Sequence, residues 1–147
     1  MSDFNTQVIE QFRANDGRVG PPFAGAPMIL VHHRGRRSGA AHVAPMVHLR
    51  DATDPGTVYV FASKAGAPTN PDWYFNLVAG GTGEVEVGPP GDATGVERYE
   101  VDVRELEGDE RDRVYAAQVA VMPGFGEYEQ KTAGIRTIPV LALTRRA

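Results

Sequence analysis

Residues 57–77 read TVYVFASKAGAPTNPDWYFNL, and the change of character along them decides the fold. From Thr57 to Ser63 the chain alternates in the strand period, with Val58, Val60 and Ala62 on one side and Tyr59, Phe61 and Ser63 on the other. The strand stops at Lys64-Ala65-Gly66-Ala67-Pro68, because Gly66 is permissive and Pro68 has no N–H to give to a ladder. Asn70-Pro71-Asp72 then reads as a helix start: Asn70 as cap, Pro71 at the first helical position, Asp72 at the positive end of the dipole. Ser63, Lys64, free loop N–H groups and the Trp73 indole therefore meet at one corner, a set that suits a planar anionic ligand. The same residues also read as an ordinary strand–turn–helix junction with Trp73 in the core.

Outward from this corner, residues 3–15 carry Phe4, Val8, Ile9 and Phe12 along one helical stripe, stopped by Asn15-Asp16-Gly17. Residues 17–27 are a Gly/Pro-rich connector. Residues 28–33 form a strand that runs into Arg34-Gly35-Arg36-Arg37-Ser38-Gly39, and residues 42–50 return, giving a hairpin with a cationic tip. After the central corner, Gly80-Gly81 ends the short helix, residues 84–87 are a brief strand, and Pro89-Pro90-Gly91-Asp92 is a turn. Residues 96–104 alternate again, with Tyr99, Val101 and Val103 facing in. Residues 109–122 read as the long helix, with Val114, Ala117, Val121 and Met122 on its apolar face and Pro123-Gly124 as its stop. Residues 138–143 are a last strand whose Pro139 belongs at an edge or a strand start. About six strands, an N-terminal helix and two further helices, without regular β-α-β alternation, predict an α+β antiparallel barrel.

A chain of 147 residues with no break in composition predicts one domain, 1–147. The absence of cysteine removes disulfides, thiolate catalysis and cysteine-ligated metals. A net charge of −4 argues against non-specific nucleic-acid binding. No segment reaches the ~20 apolar residues needed to span a bilayer, so a cytoplasmic protein is expected. Thirteen arginines stand against two lysines, Lys64 and Lys131, a bias that carries no functional signal by itself.

Among candidate groups, the arginine turn offers guanidinium forks and successive N–H groups to phosphate or carboxylate, although a charged hairpin tip is also simply solvated. His32 and His33 must point to opposite faces, and His42 and His48 share one; no histidine spacing predicts a metal site. There is no GxSxG elbow, no GxxxxGK[ST] and no GxGxxG after a strand.

Three blocks, Phe12 through Gly20 (FRANDGRVG), Gly35-Arg36-Arg37-Ser38-Gly39, and Ala62 to Pro68 with Asn70 to Leu77, resemble the deazaflavin-dependent nitroreductase family in order and spacing, as does Arg136-Thr137-Ile138-Pro139-Val140. The resemblance implies a split β-barrel that uses the deazaflavin coenzyme F420 to reduce quinones, nitroaromatics or other electrophilic acceptors. It implies that Arg36, Arg37, Ser38, Gly39 and Lys64 hold the coenzyme's phosphate and acidic tail. It places His42, Val43, Ala44, Pro45 and Met46 along the ring, with Ala62, Ala65 and Gly66 in the adjoining loop, Ser63 at the ring's reactive edge, and Trp73 and Asn76 shaping the groove. His42 stands where the family usually has an arginine.

On the acceptor side, Val47, Met122 and Phe125 occupy positions where a nitroimidazole-activating relative has tyrosines, while Tyr128 is kept. Phe125 lacks the phenol that could donate to a nitro or quinone oxygen as charge builds there, though it can still wall an apolar pocket. Ser63 and Tyr128 are the candidates for polarising the acceptor. An FMN-dependent enzyme of the same fold and a non-catalytic F420 carrier are the alternatives. Expected partners are a small-molecule acceptor and a second copy of the chain, with peripheral membrane contact through a lipophilic quinone and no nucleic acid.

Overall fold

The computed structural model describes residues 4–15, 17, 27–54, 56–88 and 95–146. In chain order these form α1 (Phe4–Ala14), β1 (Met28–Arg34), β2 (Ala41–Arg50), β3 (Thr57–Phe61), a 3₁₀ turn (Lys64–Gly66), α2 (Asp72–Gly80), β4 (Thr82–Val87), β5 (Glu97–Glu105), α3 (Gly108–Val121), α4 (Gly124–Thr132) and β6 (Val140–Arg145). The strands close into an antiparallel barrel in the order β1-β2-β3-β6-β5-β4. Most of the connector at 18–26, with Arg18-Val19-Gly20, and the turn at 89–92 lie outside the described residues.

The alternation read in the sequence is the division between two cores. Val58 and Val60 join Ile29, Val31, Val85, Val87, Val101, Leu141 and Leu143 inside the barrel, with Tyr99 and Val103 packed against them. Tyr59 and Phe61 face outward, and they too are buried because Val114, Tyr115 and Phe125 from α3 and α4 cover them. A third group, Val8 and Phe12 of α1 on Met28 and Leu30 of β1, packs with Val43 and Val47 of the neighbouring β2. The barrel interior is closed by α2, whose Leu77 enters the inner core with Trp73 and Tyr74 beside it. Gly83 makes this possible: a Cβ there would stand 3.0 Å from Leu77 Cδ2 and 3.3 Å from the His32 carbonyl.

Three expectations are corrected. A fourth helix, α4, follows Pro123; it was missed because two glycines and few apolar residues hide a helix that depends on Phe125 and Thr132 being buried. The packed face of α3 is Arg111, Val114, Tyr115 and Gln118, and Val121 is 61 % exposed. Arg111 tolerates burial because Nε and Nη2 donate to the Ile138 carbonyl at 3.1 and 3.0 Å and its guanidinium lies over the Tyr115 ring. Finally, Asn70 does not cap α2; the helix begins after Pro71, and the Asn70 side chain accepts from Arg136 instead. Pro139 stands just before β6, where its carbonyl accepts from Ala62 N–H at 3.0 Å.

Among the described residues, His48 is a polar side chain enclosed within the barrel. His48 pairs across from Val60, is 2 % exposed, and neither ring nitrogen finds a hydrogen-bond partner among the described residues. Burial, helped by Arg50, lowers its pKa to about 4. The unfolded chain therefore takes up this proton near pH 6.5 while the folded chain refuses it down to about pH 4, so stability falls as pH drops through that window. The loss should reach roughly 3 kcal/mol at pH 4, and His48→Leu should remove that part of it. Urea unfolding of both proteins at pH 7, 5 and 4 checks this; the same acid loss in both would show that His48 is not its source.

Candidate active site

The hairpin between β1 and β2 and the first turns of α2 enclose a cleft of about 450 Å³. Its walls bring together Arg36, Arg37, Ser38, His42, Val43, Ala44, Trp73 and Asn76 from the sequence reading, and add His33, Gly35 and Asp72. Asn76 is its organising side chain. Buried on α2, it accepts at Oδ1 from both the main-chain N–H and Nη1 of Arg36, each at 3.0 Å, and its Nδ2 lies 3.0 Å from His33 Nδ1. The Arg36 guanidinium also lies over the Phe75 ring, 5.1 Å from its centroid. Arg36 is thus committed to the protein, whereas Arg37 makes no hydrogen bond or ion pair with a described residue. Ser38 Oγ accepts from Ala40 N–H at 3.1 Å, which leaves its O–H able to donate into the cleft. His33 stacks on His42 at 5.3 Å. Burial and the His42 charge lower the His33 pKa, against a smaller opposing pull from Asp72. The signal for His33 was its inward parity on a strand leading into the arginine turn.

The loop after β3 is a second feature, away from this cleft's walls. Arg136 fixes it: Nη1 donates to Ala62 O at 3.1 Å and to Asn70 Oδ1 at 2.6 Å, Nη2 to Ser63 O at 2.9 Å, and Nε to Ala67 O at 3.0 Å. Within that grip Lys64 adopts φ 47°, a left-handed conformation that costs a non-glycine residue about 1–2 kcal/mol. Its exposed ammonium donates to Thr69 Oγ1 at 3.3 Å. Ala62 and Ser63 are buried. Gly66 lets the loop meet α4, since a Cβ there would stand 2.8 Å from Lys131 Cδ.

Between the two features β2 and β3 part company. Their last pair is His48 with Val60, after which Ala62 N–H turns to the Pro139 carbonyl beside β6. The even-numbered residues of β2 bond to β1, so the main-chain groups of Val43 and Pro45, beyond the last pair with β3, point to an edge that no described strand covers. Pro45 is tolerated there because that edge has no ladder to break. The side chain of Met46 turns the other way, onto the inner core. Val47, Met122, Phe125 and Tyr128 do come together, in the outer cluster around Phe61. Phe125 is 5 % exposed, its ring enclosed by Phe61, Tyr115 and Tyr128, so Val47, Met122 and Tyr128 are the more open members of the group. Gly39, with φ 72°, closes the arginine turn, its N–H donating to Gly35 O at 2.8 Å.

The family profile described as F420H(2)-dependent quinone reductase matches residues 5–145. A Mycobacterium tuberculosis protein named F420H(2)-dependent quinone reductase is 31 % identical over 140 residues, covering 92 % of this chain and 85 % of its own length. A solved structure titled F420-H2 dependent reductase is 33 % identical, with TM-score 0.63 over 80 % of this chain and 93 % of that one. Another, described as a domain-swapped dimer, has the same identity and TM-score and covers 80 % of this chain and 79 % of that one. The barrel is accordingly the split barrel expected from the sequence. No helix among the described residues is long and apolar enough to cross a membrane.

Replacing Arg136 by lysine keeps the charge and loses the fork, leaving loop carbonyls of Ala62, Ser63 and Ala67 short of donors. Arg136→Lys should cost about 2–3 kcal/mol of stability and speed amide hydrogen exchange selectively in residues 62–70. Unaltered exchange in that segment would mean the loop is held by other contacts.

Proposed function

This chain belongs to the F420H(2)-dependent quinone reductase family, and we propose that it transfers a hydride from reduced F420 to a quinone or a similar electrophilic organic acceptor. The observation that carries this reading is the cationic cleft joined by the open edge of β2 to the Ser63–Lys64 loop. The residues fit the group. Arg37, the Ser38 hydroxyl and His42 suit a phosphate with an acidic tail, and half-buried Val43, Pro45 and Val47 suit a flat ring with polar edges. Bound reduced deazaflavin supplies the hydride, and the protein supplies position and shielding.

In this mechanism Arg36 holds the turn through Asn76, so that Arg37 and Ser38 meet the anion without reorganising. Lys64 would add an ammonium to the anion, and the loop main chain at Ala62, Ala65 and Gly66 would adjoin the ring. Val47, Met122 and Tyr128 are the open members of an apolar acceptor pocket, and Phe125 backs them from the outer cluster. Ser63 and Tyr128 donate hydrogen bonds to the acceptor oxygen as charge builds on it. With no hydroxyl at Phe125, one donor to a nitro or quinone oxygen is missing, while the hydride transfer itself, which belongs mostly to the cofactor, is less affected.

The carrier alternative rests on the same missing phenols. Oxidation of reduced F420 on addition of menadione supports the enzyme; tight binding without oxidation supports the carrier, and tighter binding of FMN than of F420 overturns both. Pairing of two copies is proposed from the relative described as a domain-swapped dimer, and light scattering of the purified protein decides it. Peripheral membrane contact follows from the lipophilicity of quinones and is tested by vesicle co-sedimentation.

Arg37→Ala should weaken F420 binding by about 1–3 kcal/mol, the range for a charge-assisted hydrogen bond, with Tm nearly unchanged. Affinity of the unaltered protein should also fall with added salt. Fluorescence titration checks both, and an unchanged affinity in the variant would return Arg37 to a solvated tip.

A further inference from the structure

The hydrogen bonds around Asn76 determine where the anion cleft can hold a proton. Both Arg36 donors fall on Asn76 Oδ1, so the amide presents Nδ2 to His33. An amide nitrogen only donates, so His33 Nδ1 must accept, and the ring carries its hydrogen on Nε2 and is neutral. A proton added at Nδ1 would set two donors against each other. Burial acts in the same direction, since it lowers the His33 pKa.

His42 is placed differently. It is exposed, it stacks on the neutral His33 ring with 26° between planes, and its Nε2 reaches the arginine turn, 3.7 Å from where a Cβ on Gly35 would stand. The groups facing the pair are Arg34, Arg36 and Arg37 from the hairpin, His32 from β1 and Asp72 from α2. On the side of a second cleft, which shares both histidines, Glu84, Arg98, Glu100 and Arg146 also face it. Glu84 is already paired with Arg98 at 2.6 Å, and Arg146 with Asp102 at 3.3 Å and Glu100 at 4.0 Å.

Resting on the reading of this cleft as the F420 anion site, we infer that His42 is its proton-linked arm: the anion binds between Arg37, Ser38 and a His42 imidazolium, with uptake of one proton. Asn76 and His33 are positioning residues that confine the proton to His42. Affinity then rises as pH falls, by at most tenfold per pH unit for one linked proton. The chain binds its cofactor more tightly in mildly acid conditions, which an arginine at this position could not arrange.

The test is the affinity for F420 from pH 6 to pH 8.5 in the unaltered protein, His42→Gln, His42→Arg and His33→Gln. Ionisations of the coenzyme are common to all four, so the readout is the ratio of affinities at each pH. Unaltered protein should exceed His42→Gln by about tenfold at pH 6 and converge with it by pH 8.5. His42→Arg should exceed the unaltered protein by about tenfold at pH 8 and match it at pH 6. His33→Gln should keep the pH dependence, and ¹⁵N spectra of the unaltered protein should show the Nε2–H tautomer of His33 throughout. A flat ratio between unaltered protein and His42→Gln, with F420 bound, overturns the inference and leaves the cofactor assignment standing. So does a pH dependence lost in His33→Gln but kept in His42→Gln. No F420 binding in any of the four at any pH overturns both.

Discussion

A single guanidinium, that of Arg136, holds the functional end of the barrel in place. Its donors reach three main-chain carbonyls and one amide oxygen of residues 62–70, on the far side of the sequence. A loop held this way needs no regular structure, because its buried carbonyls are satisfied from outside the segment. The consequence reaches to Lys64, whose unfavourable backbone conformation persists only where its neighbours are fixed on both sides. It reaches also to α2, since the Asn70 side chain that could have capped that helix is committed to Arg136, and Asp72 begins it after Pro71 without a side-chain cap.

α2 in turn serves two surfaces. One face carries Leu77 into the barrel, and the neighbouring residue Asn76 fixes the arginine turn. Packing and polar organisation are therefore carried by adjacent positions of one short helix, and the cleft keeps its shape for as long as the barrel stays closed. The outer cluster is built in the same economical way, with Tyr115 donating to the Phe125 carbonyl at 2.6 Å to tie α3 to α4 over β3.

What the sequence made legible was what repeats locally. The alternation of Val58 to Phe61, the arginine turn, the glycine stop at Gly80-Gly81 and the SKAGAP loop each carry their signal within a few residues, and each is found where expected. Arg36 to Ser38, His42 to Ala44, Trp73 and Asn76, which the sequence offers as candidates, line one cleft. The missed features depend on distant partners. Arg136 meets atoms 66 to 74 positions away, and His33 meets Asn76 43 positions away. Helix α4 exists because Phe125 finds Phe61, and the buried face of α3 follows the Ile138 carbonyl rather than the apolar count. Periodicity cannot register such pairs, because neither member marks the other's place.

The parting of β2 from β3 leaves a stretch of rungs that no described strand pairs, and such a stretch invites an extended segment from another molecule. Pro45 sits in its middle with no N–H. An incoming strand would find a gap in the ladder where a continuous row of donors is needed, while a flat ligand, which needs only an apolar surface with a few carbonyls at its rim, loses nothing. The proline thus acts as a filter on what kind of molecule can use the opening: it discriminates against polypeptide without narrowing the way in for a ring.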